Sequence, residues 1–258
     1  MMRFLRRSYL TLILIFLYAP ILVLIVYSFN DSKTMGNWGG FTFRWYAELF
    51  QDPEILNALF YTVVIALLTA LISMVIGTIA AIGIHYLPRV SSIFYTNITY
   101  LPILNPDIVT GISLMVLYLS MQMELGFVTL LLSHITFSVP YVIFSVLPKL
   151  RQLNPNTYEA ALDLGAKPMK AIWQVTIPEI MPGIITGGIL AFTLSLDDFV
   201  ISFFTTAGIQ NLSILVYSMA RRGINPAINA LSALMFVCVL VLLLIVNKRS
   251  GEDAIDFI

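Results

Sequence analysis

The chain has 258 residues, 59% of them hydrophobic and 11% charged, with a formal net charge of zero. A soluble domain carries about one-quarter charged residues, so this composition belongs in a bilayer, and the zero net charge gives no electrostatic case for a nucleic-acid partner. At ~20 residues per span the length fits about six helices and no sizeable soluble addition, which makes residues 1–258 a single all-α transmembrane domain. One cysteine, Cys238, lies in the last apolar run, so neither a disulfide nor a CxxC metal site can form within the chain.

Residues 1–7 are basic and 9–29 are apolar throughout. A secretory signal has an apolar region of about 7–15 residues and a small-residue cleavage site, so this longer run reads as an uncleaved first span. Residues 30–56 follow, with Phe41-Thr42-Phe43-Arg44-Trp45-Tyr46 expected to form a short surface helix held on the membrane by its aromatics. Further spans are expected at about 58–84, 93–119, 127–147, 183–204 and 228–246. Within the third, Asn105-Pro106-Asp107 reads as a helix restart, with Asn105 as cap, Pro106 at the first position and Asp107 favoured by the helix dipole. Residues 212–221 are too short to cross and read as a small helix before a turn at 223–226.

Basic residues set the orientation. With the N-terminus inside, Arg3, Arg6, Arg7, Arg89, Lys149, Arg151, Lys167, Lys170, Lys248 and Arg249 fall on the cytoplasmic side. Lys33, Arg44, Arg221 and Arg222 fall outside, the last two against the rule. Both termini are then cytoplasmic, and so is the polar stretch 150–182.

That stretch carries Arg151, Glu159, Asp163, Lys167, Lys170 and Glu179 between two apolar runs. Asn154 or Asn156 can cap a first short helix, Pro155 suits an early helical position, and Glu159 can reach back to a cap at Asn156. Gly165 supplies a stop. Pro168 opens a second short helix with Ile172 and Trp173 for an apolar face, and Pro178 and Pro182 are expected to keep it separate from the next span. Glu159-Ala160-Ala161, then Gly165, then Val175, Ile177 and Pro178 resemble the EAA motif of ABC-importer permeases in spacing, with Val and Ile where the family has Ile and Leu. The resemblance implies a cytoplasmic coupling helix that docks on an ATPase subunit. An amphipathic helix on the membrane surface is the alternative, but Gly165 and the prolines interrupt any long lipid-facing stripe.

Asp107, Asp197 and Asp198 lie within expected spans. A charge at a helix centre costs about 2.5–3.5 kcal/mol, against a gain of about 0.3–0.6 for each good apolar residue, so the acidic pair calls for a cavity or a partner. Neighbouring side chains on a helix diverge by about 100°. One aspartate can therefore face a pathway while the other meets a neighbouring helix; alternatively both only fix helix contacts. Phe199 and Phe203 stand beside the acids, and carboxylates with aromatic faces suit an organic polycation. Lone His134 reads as an interhelical hydrogen-bonder, and the Gly183/Gly187 spacing, with Gly188 adjacent, as a tight helix contact. The chain has no Walker phosphate loop, no HExxH, and only Gly111-Ile112-Ser113-Leu114 where an intramembrane serine protease would need Gly-x-Ser-Gly. Energy must then come from another subunit or from a gradient, and no catalytic or metal-binding residues are expected.

Beyond the coupling stretch, Pro106-Asp107-Ile108-Val109, Gly111-Ile112-Ser113-Leu114, residues 131–137, Phe192 to Asp198 and Tyr217-Ser218-Met219 are similar to the PotC-type permeases of spermidine/putrescine importers. This implies a type I ABC-importer permease in a bacterial inner membrane, beside a PotB-like sister permease and two PotA-like ATPases, fed by a PotD-like substrate-binding protein. ATP and Mg would reside on the ATPase, with no cofactor on this chain. Asp197, Asp198, Phe199, Phe203 and Asp107 are the expected pathway residues; Glu159, Ala160, Ala161, Gly165 and Pro178 are the expected coupling residues. An importer of ferric iron or an amino acid, and a stand-alone channel or carrier, are the alternative readings.

Overall fold

The computed structural model describes residues 2–32, 37–222 and 226–249, and the regular structure among them is helical, with one isolated antiparallel bridge between Asn30 and Phe41. Packing divides the chain into two units, Met1–Leu56 with Leu215–Ile258, and Asn57–Ile214.

In the first unit, α1 (Met2–Tyr27) and α2 (Arg44–Leu49) pack on α12 (Pro226–Arg249). Along the apolar stretch Ser8–Tyr27 no residue is fully buried within the chain. After α1 the backbone turns around buried Asn30, whose Oδ1 accepts the N–H groups of Ser32 and Gly39 at 3.2 and 2.7 Å. Its own carbonyl accepts the Trp45 indole N–H at 2.7 Å, and Tyr46 Oη lies 2.7 Å from Ser28 Oγ. The expected surface helix therefore differs from the one observed. It begins only at Arg44 and turns Trp45 into the protein, because an indole N–H needs an acceptor that hydrocarbon does not offer. Phe41 and Phe43 stay exposed and cluster with Phe29 at centroid distances of 5.0–5.4 Å. The expected turn at 223–226 falls mostly outside the described residues, as does the side chain of Cys238 on α12.

The second unit takes up most of α3 (Pro53–Tyr86) and then α4 (Arg89–Leu104), α5 (Asp107–Ser120), α6 (Phe127–Gln152), α7 (Pro155–Asp163), α8 (Pro168–Ala171), α9 (Ile177–Asp197) and α10 (Val200–Thr205); α11 (Leu212–Arg222) leads out of it. α3 exceeds its apolar run because Asp52 Oδ1 accepts the Glu54 N–H at 2.9 Å and so caps an early start at Pro53.

Ser8–Tyr27, Pro53–Tyr86, Phe127–Gln152 and Pro168–Asp197 are long and apolar enough to cross a membrane, and α4 and α5, bent by 101° to each other at their break, are so only taken together. The sixth expected span falls on α12, whose side chains are described only in part. Three expectations are corrected. The expected helix restart within the third run is present, but Asn105 ends α4 instead of capping α5: Pro106 is the cap residue, and its carbonyl accepts the N–H groups of Val109 and Thr110. The expected span 183–204 stops at Asp197, with Asp198 in an extended conformation before α10. Neither Pro178 nor Pro182 separates the second short helix from this span. A π-turn, Ile172–Thr176, in which the Ile177 N–H bonds to the Ile172 carbonyl, changes the register where proline has no N–H to give, so the helix runs from Pro168 to Asp197.

The core of this unit centres on Val142, Val146, Leu147, Leu150, Ile180 and Ala191, where α6 meets α9. Backbones approach closely because α9 offers glycine. A Cβ on Gly183 would stand 2.8 Å from the Ser145 carbonyl oxygen, one on Gly187 3.0 Å from Val142 Cα, and one on Gly188 would overlap Met74. Gly183→Val sets a branched side chain against backbone that cannot yield, an overpacking cost of about 1–3 kcal/mol. We expect a clear loss of detergent-stable protein for this variant in fluorescence-detected size-exclusion chromatography, and little change for Gly83→Ala, whose Cβ meets open space.

Candidate functional site

The first assembly of functional side chains surrounds the break between α9 and α10. Asp197 is the last residue of α9, and its side chain is exposed within this chain. Its carbonyl accepts the Ser213 hydroxyl at 3.2 Å. Asp198 behaves differently. Its side chain is only 8% exposed, and Oδ2 accepts the Ser202 N–H at 2.7 Å and the Ser202 hydroxyl at 2.8 Å while Oδ1 takes the Ile201 N–H at 3.3 Å. Asp198 thus restarts the helix by satisfying amide groups that the break has orphaned.

Around it lies a closed polar network. His134 of α6 is 1% exposed; its Nδ1 is 2.6 Å from Ser195 Oγ and its Nε2 2.9 Å from Ser202 Oγ and 3.4 Å from Asp198 Oδ2. Buried Asn211 donates to Ser202 Oγ at 2.8 Å and to the Asp198 carbonyl at 3.2 Å, and its Oδ1 accepts the Ile214 N–H. One proton arrangement satisfies every member: Ser195 donates to Nδ1, Nε2–H donates to Ser202 Oγ, and the Ser202 hydroxyl donates to Asp198. Thr129 Oγ1 holds the far end of α10 by donating to the Thr205 carbonyl at 2.8 Å.

The aromatics expected beside the acids stand together. The Phe199 and Phe203 ring centroids are 5.5 Å apart, and Phe203 is half exposed. α10 packs along α5, where a Cβ on Gly111 would stand 3.1 Å from Phe204 and 3.4 Å from Ile201 Cα. Asp107 is exposed at the first position of α5, one turn before Gly111. Both broken helices therefore lie side by side, and α5 is tied to α6 by Tyr118 Oη and Ser133 Oγ at 3.0 Å. Sequence reading placed His134 in an interhelical role, which the geometry bears out. It missed Ser202 and Asn211, because small polar side chains in an apolar run carry no signal until the fold brings them together.

The second assembly is the segment joining α6 to α9. Asn154 is the cap of α7, its Oδ1 accepting the Asn156 N–H at 3.1 Å, with Pro155 at the first helical position. That start places Glu159 too far along for the capping box expected from Asn156; proline's fixed φ and missing N–H favour the earlier cap. The end is a Schellman closure. Ala166 N–H bonds to the Ala161 carbonyl, Gly165 N–H bonds to the Leu162 carbonyl, and Gly165 has φ +85°.

Glu159, Ala160, Gly165 and Pro178 are exposed and Ala161 is half-buried. Three large apolar residues stand out from the same segment, Leu164 at 90%, Met169 at 66% and Trp173 at 64% exposure. Beside α7 opens a cavity of about 290 Å³ whose lining includes Tyr86, Arg151, Tyr158, Glu159 and Glu179. The Tyr86 and Tyr158 centroids there are 5.8 Å apart.

Membrane-length helices with two breaks, and the short polar helix α7 between two of them, fit a transport permease. Comparison with known proteins agrees. Residues 73–248 match the family described as "Binding-protein-dependent transport system inner membrane component". The chain is 43% identical to the putrescine transport system permease protein PotI of Escherichia coli K12, over 85% of this chain and 81% of that protein. It is 37% identical to the spermidine/putrescine transport system permease protein PotC of the same organism, over 94% and 92%. Its fold matches, with a TM-score of 0.71, 19% identity and coverage of 97% and 96%, a chain of a bacterial ABC transporter involved in the import of the acidic polysaccharide alginate. The chain belongs to the binding-protein-dependent transport system inner membrane component family, and its all-α fold is that of a type I ABC-importer permease.

Gly165→Ala keeps the space around α7 open but forces an L side chain into the left-handed region, at about 1–2 kcal/mol. Hydrogen exchange of the Gly165 and Ala166 amides is expected to quicken roughly 5- to 30-fold while the α6 core amides keep their rates.

Proposed function

We propose that this chain is the polyamine-conducting permease subunit of an ATP-driven importer that takes up spermidine or putrescine by alternating access. The observation that carries the reading is an exposed carboxylate, Asp197, at a helix break bordered by Phe199 and Phe203, in a chain whose relatives at 37–43% identity are named as putrescine and spermidine/putrescine permeases. Ammonium groups pair with carboxylates and lie on aromatic faces. An alkyl polyamine asks for little else. Asp107 supplies a second acidic position on the neighbouring broken helix.

The cycle follows from the two assemblies. Substrate reaches the outer side on a binding protein of the PotD-like kind. Closure of a pair of PotA-like ATPases on ATP and Mg moves the α7 segment through Glu159, Ala160, Ala161 and Gly165, with Leu164, Met169 and Trp173 supplying the apolar contact. The exposure of these three residues supports that docking role. A PotB-like sister completes the path, and hydrolysis on the ATPases returns the cavity to the cytoplasmic side. Both termini and the α7 segment are cytoplasmic in this reading, as the excess of Lys and Arg around them supports. Weak central binding suits the cycle, because the binding protein selects the cargo.

The test is uptake of labelled spermidine and putrescine into polyamine-auxotrophic cells that express the whole transporter. Asp197→Asn removes one charge-assisted contact, and uptake per assembled complex is expected to fall about ten-fold with assembly unchanged. Full-rate uptake by this variant removes Asp197 from the path. An intact transporter that carries no polyamine leaves the permease assignment in place and moves the cargo to another solute class.

A further inference from the structure

We propose that His134 is a positioning residue for transport: its imidazole staples the two sides of the α9–α10 break and thereby holds the Asp197 carboxylate where the substrate passes, while Asp198 serves the staple and not the cargo. The inference rests on the reading of Asp197 as a pathway residue. Its geometric basis is separate from that reading. One ring nitrogen reaches Ser195, two residues before Asp197 on α9, and the other reaches Ser202 on α10, at 2.6 and 2.9 Å. Between those anchors the chain leaves helical geometry at Asp198 (φ −61°, ψ 123°), so the direction of Asp197 depends on how the two helix ends are held; His134 bonds both ends, while Asn211 and Ser213 bond the Asp198 and Asp197 carbonyls from α11 and the residue before it.

Asp198 cannot readily take up a passing cation. Its oxygens already accept two backbone N–H groups and a hydroxyl, and its side chain is 8% exposed beside a histidine that is 1% exposed. The two adjacent carboxylates therefore divide their work. Asp198 terminates the broken helix internally, and Asp197 alone keeps its charge available. A ring with hydrogen-bonding atoms on opposite edges spans such a gap, which a hydroxyl side chain is too short to do.

The test is a double-substitution cycle in the complete transporter with a saturating supply of loaded binding protein, reading polyamine uptake per assembled complex. His134→Phe keeps an aromatic ring and removes both bonds. We expect it and Asp197→Asn each to reduce uptake about ten-fold with the amount of assembled complex unchanged, and the double variant to be no worse than about ten-fold, because interacting sites do not add. His134→Gln, which keeps one donor and one acceptor, should recover a substantial part of the rate. If His134→Phe does not assemble, Ser195→Ala and Ser202→Ala each remove one arm of the staple, and the same cycle with Asp197→Asn applies.

Losses that multiply to about a hundred-fold overturn the positioning role and leave a merely structural histidine, as do losses that simply track the amount of complex. Unchanged uptake per complex in His134→Phe also overturns it. Full-rate uptake by Asp197→Asn alone brings down the pathway reading and this inference together, and is recognised before the second substitution is made.

Discussion

Hydrocarbon offers no partner for an unpaired amide, so a helix that stops within a membrane must find substitutes for its lost hydrogen bonds inside the protein. Each buried group left unsatisfied costs about 1–3 kcal/mol, and this chain breaks helices in two apolar stretches. At Asn105–Pro106 the proline has no N–H to orphan, and its carbonyl serves the first amides of α5. At Asp198 the side chain takes over from the backbone, and His134, Ser195, Ser202 and Asn211 close the network around it. The breaks confer something in return: they let a carboxylate stand at the end of a helix instead of being buried along its side. The position of Asp197 is the consequence.

The close contact of α6 and α9 gives this arrangement a rigid base. His134 lies on the same helix whose Val142 and Ser145 receive the glycines of α9. At its far end α6 continues through Gln152 to the cap at Asn154 and so into α7. One helix thus connects the break to the short helix with three exposed apolar residues at its end and in the turns that follow. α7 itself packs on α8 and the π-turn, at the start of the continuous helix that ends at Asp197. The Schellman closure at Gly165 ends α7 as a discrete helix.

Much of this was legible in the sequence. Apolar runs located α1, α3, α6 and α9 because length and hydropathy decide whether a helix can span; Gly183, Gly187 and Gly188 announced the close contact, and Gly165 the helix stop. Asn105-Pro106-Asp107 announced the third-span break, one residue away from its actual cap. Other features were not legible. Two aspartates in an apolar run read the same whether the helix passes through them or ends there, and what ends it, His134 and Asn211, lies 64 residues before and 13 after Asp198. Pro178 looked like a barrier because a proline in isolation is one, and only the π-turn before it lets the helix continue. Trp45 looked like a membrane anchor until Asn30 supplied the acceptor for its indole.

The most direct measurement of the central claim, that this permease couples ATP hydrolysis elsewhere to the passage of an organic polycation, is ATPase turnover of the reconstituted transporter in nanodiscs against binding protein loaded with different cargoes. The account predicts that polyamine-loaded binding protein raises turnover several-fold above the empty form. Equal turnover with empty and polyamine-loaded binding protein, or stimulation only by a cargo without positive charge, would contradict it.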